Sequence, residues 1–317
     1  MKVAVLIITC NRTKGLELLL TSIGQQSFPD YKDIELSVFV VDNDSNGSGK
    51  SVIEKLKQNY PWSIHYDIEP IRGIPHARNR AFRLAENDNE FVIFVDDDEV
   101  VPQHWVNELV KVQSLTDADT VSGPVYPKFM ITPPKWAIAG KFYLRSRYDL
   151  MKTGDVLPYE PVKTNNLLVK VSTLQKLTPP FDLRCALSGG SDTLLAIRLE
   201  KMGCKMVWAA EAGVEELIPE SRIKLAWLFQ RDYRNGVMKK VFDLEFMPRH
   251  KSQIYRFVVG FGRILSGLIL TILSLPLLIA GKPEVVIKKC RVIFRGLGMV
   301  AGAIDLNHEE YRRIHQV

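Results

Sequence analysis

Apolar runs that alternate with amphipathic segments, each run ending in a polar cluster, govern what residues 1–125 can form. Residues 3–8, 36–41 and 91–95 carry almost nothing but aliphatic and aromatic side chains. A strand buried on both faces reads this way, whereas a strand with one wet face alternates. After the first run, Leu16, Leu19, Leu20 and Ile23 recur at helical spacing within 14–25. Helices are expected over 50–58 and 74–87, with a short strand at 63–67. Strand and helix in alternation predict an α/β fold, a Rossmann-type, mostly parallel sheet with helices on both faces. Ligands of such sheets bind beyond the carboxyl ends of the strands. There the chain places Thr9-Cys10-Asn11-Arg12, Asp42-Asn43-Asp44-Ser45 and Asp96-Asp97-Asp98.

Residues 126–217 are richer in proline and aromatics, with a strand expected at 166–171 and a helix at 192–202. The 317 residues suffice for one large domain with an appendage. The net charge of +6 is uneven: residues 218–317 hold 17 basic against 8 acidic side chains, and residues 1–217 hold 25 against 28. A basic last third favours an anionic partner, membrane surface or phosphate, over nucleic acid, because its charges alternate with long apolar runs. Cys10, Cys185, Cys204 and Cys290 are scattered without zinc-ligand spacing, consistent with a reducing compartment. KVAVLIIT at 2–9 is too short for the apolar core of a secretion signal and reads as a first strand.

Two carboxylates one residue apart at a strand end both face one cation, because side chains alternate along an extended chain. Asp96 and Asp98 have that spacing, which turns Asp97 away from the metal. Mg²⁺ or Mn²⁺ suits such oxygen ligands and bridges them to substrate phosphate. Three adjacent carboxylates otherwise repel one another. NGSGKS at 46–51 imitates a phosphate-binding loop, but Asp44 stands where that loop requires its first glycine.

ITCNR at 8–12, VVDNDS at 40–45, GIPHARNRA at 73–81 and FVDDDE at 94–99 follow one another in an order and spacing that resemble a bacterial family 2 glycosyltransferase of surface-polysaccharide biosynthesis, with the GT-A fold. The resemblance runs from residue 1 to about 236. It implies a nucleotide-sugar site built from Thr9, Asn11, Arg12, Asp42, Asp44, Arg78, Asn79, Asp96 and Asp97, with the metal on Asp96 and Asp98. In FDLRCALSGGSDTLLAIRL at 181–199 it implies that Asp192 is the catalytic base, although Ser191 stands where the family often has Glu. Asp192 as a plain helix cap is the competing reading. EAGVEELIPESR at 211–222 and WLFQRDYRNG at 227–236 resemble segments of polysaccharide-forming members, and imply donor or acceptor contacts for Arg231 and Arg234.

Residues 264–281 are uncharged for 18 positions, about 27 Å of helix, just short of a bilayer core. Pro276 interrupts the run, and basic residues flank both ends. That symmetry favours a re-entrant or in-plane element over one clean crossing, with an amphipathic helix at 285–304 beside it. A buried helical hairpin is the alternative. The expected division is a catalytic domain at 1–236, split at 125 into nucleotide and acceptor halves, and a membrane-associated region at 237–317. Trp136, Tyr143, Tyr148 and Tyr159 are placed to stack on sugars or to fill a core.

The expected reaction is an inverting transfer from a nucleoside-diphosphate sugar, with a UDP-sugar first in line, to a hydroxyl of a lipid-linked or polysaccharide acceptor. It would proceed at the cytoplasmic face of the inner membrane. Metal-dependent sugar nucleotidyl transfer and a non-catalytic, membrane-anchored nucleotide-sugar-binding protein remain as alternatives.

Overall fold

The apolar runs form the centre of a seven-stranded sheet. The computed structural model describes residues 1–144, 150–160, 162–186 and 188–306. In chain order come β1 (Lys2–Thr9), α1 (Thr13–Gly24), β2 (Glu35–Asp42), α2 (Lys50–Lys57), β3 (Ser63–Ile68), α3 (Ile74–Ala85) and β4 (Phe91–Asp96). Then follow β5 (Glu99–Val100), α4 (Trp105–Thr116), β6 (Thr120–Ser122), β7 (Val125–Phe129), α5 (Lys135–Ala139), β8 (Leu167–Lys170) and α6 (Val171–Leu174). The last third contains α7 (Ser191–Lys201), β9 (Met206–Trp208), β10 (Val214–Ile218), α8 (Leu225–Asp243), α9 (Arg249–Ser274), α10 (Pro276–Ile279) and α11 (Pro283–Ala303).

The large sheet runs β3-β2-β1-β4-β8-β6-β9. Its first four strands are parallel, whereas β8 lies antiparallel to both β4 and β6. A single reversed strand in an otherwise parallel sheet is therefore what the mixed middle of the chain contributes. Alternate residues of β1 feed opposite faces, as strand geometry requires. Val3, Val5 and Ile7 join α1 and α4 in one core, while Ala4 and Leu6 join α3 and α7 in the other. Leu16, Leu19, Leu20 and Ile23 are each 0% exposed, and burying each contributes roughly 1.5–3 kcal/mol. Register brings the strand ends together: Thr9 lies across from Asp42, and Ile8 across from Asp96.

A three-stranded sheet, β5-β10-β7, crosses this edge and pairs Glu99 with Glu216. Buried Asn166 ties the sheets together, accepting from the Trp105 indole at 2.9 Å and donating to the Pro124 and Ala212 carbonyls.

The C-terminal third is helical. The uncharged run at 264–281 is not one helix: α9 ends at Ser274, Pro276 opens α10, and α11 returns to pack against α9 and α8. Small residues set these crossings. A Cβ on Gly298 would lie 1.9 Å from the Tyr233 carbonyl oxygen, so α8 and α11 meet at this depth only without one. The boundary expected at 236 falls inside α8, which continues to Asp243. Among the described residues α9 alone is long and apolar enough to cross a membrane, and 17% of its apolar window is buried. Exposed Phe257, Phe261, Leu265, Leu268, Ile272 and Leu273 make one unpaired apolar side, so the pair is a helical hairpin but not a buried one.

Candidate active site

The turn after β4 is the focus of three elements. Thr9, at the end of β1, donates its hydroxyl to Asp97 at 2.8 Å. Arg12 opens α1 and places one guanidinium nitrogen 2.8 Å from Asp97 and 3.1 Å from Asp98. The tight passage from β1 into α1 runs through Asn11 at φ 53, a left-handed conformation that asparagine tolerates. A Cβ on Gly15 would sit 2.4 Å from the Asp97 carbonyl oxygen, so a glycine lets α1 seat against the acidic turn. Arg222, just after β10, reaches Asp98 at 2.9 Å and Glu216 at 3.1 Å.

Arg78 of α3 makes the second connection. Its guanidinium bonds Asp96 at 2.9 Å and the Ser191 hydroxyl at 3.3 Å, and lies 5.7 Å from the Phe181 ring centre. The acidic turn is thus tied to the first turn of α7, where Asp192 sits 3.7 Å from the Lys163 ammonium. Gly190, in a left-handed conformation, occupies the N-cap of α7, so Asp192 is not the cap. Asp96, Asp98, Asp192, Lys163, Arg231 and Arg234 share one open cavity of about 990 Å³.

Burial raises the Asp96 carboxyl against the pull of Arg78, although its side chain keeps 36% exposure to the cavity. Burial likewise lifts Asp97, with Arg12 opposing and Asp98 adding to the rise. On Asp98 burial acts the same way, but Arg222 and Arg12 outweigh it and hold the carboxyl below its ordinary range. Burial also opposes the charge on Arg12, and Asp97 and Asp98 overcome that opposition. Glu99, 0% exposed, is lifted well above the usual range by burial and then by Asp96 and Asp98. It accepts the Asp96 amide and the Asn165 side-chain amide, which fixes the turn from behind.

The oxygen donors suit a hard cation. Among the described residues, no three His, Cys, Asp or Glu side chains already converge as a cage. Mg²⁺ and Mn²⁺ need only one or two protein carboxylates when substrate phosphates and water complete the shell, so Asp96 and Asp98 fit that role. Their arrangement differs from strict alternation. β4 ends at Asp96, and the chain turns at Asp97 and Asp98. Asp96 therefore faces Arg78, while Asp97 is not turned away from Asp98 but shares Arg12 with it.

The sequence profile of glycosyl transferase family 2 matches residues 4–160. Succinoglycan biosynthesis protein ExoM of Rhizobium meliloti is 32% identical over 225 residues, 71% of this chain and 70% of that protein. The chain belongs to glycosyl transferase family 2. Among solved structures, Staphylococcus aureus TarS 1-349 in complex with UDP superposes with a TM-score of 0.55 at 16% identity, over 92% of this chain and 90% of that one. Mannosyltransferase PcManGT of Pyrobaculum calidifontis, in complex with GDP-Man and Mn²⁺, gives 0.57 at 19% identity, over 95% and 73%. At these identities the likeness is one of fold, the GT-A architecture expected from the sequence.

Not every expected residue of this family 2 glycosyltransferase reaches the cavity. Thr9, Arg12, Arg78, Asp96, Asp97, Asp98, Asp192, Arg231 and Arg234 line it. Asp42 does not. It is 0% exposed and accepts from the Gly49 and Asp44 amides and the Tyr66 and Ser48 hydroxyls, so its oxygens organise the loop after β2. Asp44 and Asn11 lie on that same loop side, Asp44 accepting from Asn46 and the Asn11 amide donating to Ser48. Asn79 is likewise engaged within the protein. Its amide donates to the Phe181 carbonyl at 2.8 Å and accepts the Phe181 amide at 3.0 Å, clamping the segment before α7. Arg80, on the same helix, pairs with Asp67 at 2.7 Å.

Three further residues, to which the sequence reading assigned no role, join the site of this glycosyltransferase. Arg222 lay in a noted motif, but its partner Asp98 is 124 positions away. Glu99 closes the FVDDDE motif at 94–99 but was given no role there, and Lys163 stood in no pattern that marks function. Of the aromatics, Tyr159 lines the cavity, Trp136 and Tyr143 pack with Phe142 and Leu228, and Tyr148 lies outside the described residues.

Proposed function

We propose that the enzyme transfers a sugar, with inversion, from a nucleoside-diphosphate sugar to a hydroxyl of a lipid-linked or polysaccharide acceptor. The observation that carries this reading is Arg78, which ties the carboxylate turn to the helix bearing Asp192 across one cavity. Asp192 takes the proton of the acceptor hydroxyl as that oxygen attacks the anomeric carbon; the bond to the nucleoside diphosphate breaks on the opposite face. Lys163, 3.7 Å from Asp192, sets positive charge beside that carboxylate. Arg12, Arg78 and Arg222 orient the carboxylates and set positive charge around the diphosphate. A divalent cation held by Asp96 and Asp98 would supply Lewis-acid stabilisation of the departing diphosphate. One carboxylate then serves on the acceptor side, because a stabilised diphosphate leaves without protonation.

The exposed apolar side of α9, with Arg249 and Lys251 before it and Lys282 and Lys288 after it, supports an in-plane seat on the cytoplasmic face of the membrane. On this reading α9 to α11 form the membrane-associated unit, and the chain up to α8 forms the catalytic unit with its nucleotide and acceptor halves. The kinship to ExoM supports a place in polysaccharide biosynthesis. Structural neighbours in complex with UDP-GlcNAc and with GDP-Man make both nucleotides donor candidates for the assay.

Radiolabelled UDP-, GDP- and TDP-sugars incubated with membrane extract, with and without Mn²⁺, test the proposal. One donor should yield a glycan product and a nucleoside diphosphate, with the anomeric configuration inverted by NMR. Conversion of the labelled donor to sugar 1-phosphate and nucleoside triphosphate on addition of pyrophosphate would indicate nucleotidyl transfer, and binding without product a non-catalytic protein.

A further inference from the structure

Beyond Asp192 the cavity continues between α8 and the C-terminal hairpin, where its wall changes character. Arg263 of α9 and Arg295 of α11 both line it. The two helices touch at this level, since a Cβ on Gly296 would lie 3.0 Å from the Arg263 Cβ. The charged groups facing Arg295 are Asp232, Arg263 and Arg291. Asp232 is buried and already held by Arg291 through Nε and Nη2. One committed carboxylate therefore stands among three guanidinium groups. Positive charge in excess inside a cavity wall is stabilised when an anion enters, and paired guanidiniums match phosphate oxygens with charge-assisted hydrogen bonds.

Apolar surface adjoins this pair on the cavity wall. Met238 and Phe242 of α8, Phe246, Tyr255 and Met299 form it. On the outside, α9 presents its exposed apolar side. A phosphate site next to an apolar groove, on a helix of membrane character, suits phosphate carried by a lipid better than phosphate free in solution.

We infer that Arg263 and Arg295 hold the phosphate or diphosphate that joins the acceptor glycan to its lipid chain. The inference rests on the glycosyl-transfer reading and names the part of the acceptor that this end of the site takes. Held there, the lipid chain follows the apolar groove toward α9, and the glycan extends along the same cavity toward Asp192. The donor diphosphate keeps the other end, at Arg12, Arg78 and the acidic turn.

The test uses the full chain, saturated with UDP and Mn²⁺, and geranylgeranyl diphosphate as probe in calorimetry. The probe should bind without displacing UDP, and geranylgeraniol and inorganic pyrophosphate should each bind at least about tenfold more weakly. R263Q/R295Q should weaken the probe on the order of 30-fold, with UDP affinity and binding to phosphatidylglycerol vesicles unchanged. Equal probe affinity in the double variant overturns the inference. So does competition between probe and UDP, which would assign the arginines to the donor, or a parallel loss on vesicles, which would assign them to bulk anionic lipid. If the variant loses UDP binding through misfolding, the wild-type competition experiment still decides. Absence of donor turnover would sink the transferase reading separately, because none of these titrations measures transfer.

Discussion

Asp192→Asn separates a base from a structural carboxylate, because the two roles differ in magnitude. The substitution keeps shape and removes charge. α7 keeps its cap, which is Gly190. Losing a negative charge from the first turn costs about 0.3–1 kcal/mol. Losing the pair with Lys163 at 3.7 Å, between side chains 20% and 27% exposed, costs about 0–1 kcal/mol. The fold therefore survives. Loss of a general base lowers kcat by about 10²- to 10⁴-fold, roughly 3–5 kcal/mol of barrier. Initial rates at saturating donor and acceptor, read beside the Kd for UDP and a thermal melt, give all three quantities. A kcat within about threefold of wild type would refute the base assignment. A Kd for UDP that rises as far as kcat falls would refute it too, since the residue would then be positioning the donor.

Asp98→Asn should reduce the Mn²⁺-dependent gain in UDP affinity by at least about tenfold, and equal affinity with and without Mn²⁺ in the wild type would remove the metal role. Gly298→Ala should lower stability by about 1–3 kcal/mol in urea unfolding, because the new methyl meets the Tyr233 carbonyl of α8; an unchanged midpoint would mean that the crossing is looser than described. Asp182 accepts from Arg184, which with Arg198 lowers its carboxyl from 3.8 to about 2. Its side chain is 13% exposed, so the pairing contributes on the order of 2 kcal/mol, present above about pH 4 and lost as pH falls toward 2. Asp182→Asn should therefore be less stable at pH 7 and nearly equal to wild type near pH 2, and a pH-independent difference would contradict the pairing.

The fold was legible because its signals are local. Runs such as 91–95, apolar on both faces, have few alternatives to the centre of a parallel sheet, and register then carries Thr9, Asp42 and Asp96 to one edge. The reversed direction of β8 was not legible, since a four-residue apolar strand reads the same both ways. Pro276 announced the break that the chain makes between α9 and α10.

At the site, the residue types and their neighbourhood were set by the sequence alone: acid at the end of β4, arginine on α3, Asp192 at the start of α7. What tertiary structure decided is which partners their polar atoms take. Asp42 and Asn79 carry the right chemistry, yet the first spends its oxygens on its own loop and the second on Phe181, 102 positions away. Arg222 reaches Asp98, and Arg263 comes near enough to Arg295 for their charges to interact, only because distant elements pack side by side. Spacing along a chain specifies which face a side chain takes, but its hydrogen-bond partner is fixed by packing between segments that carry no mark of one another.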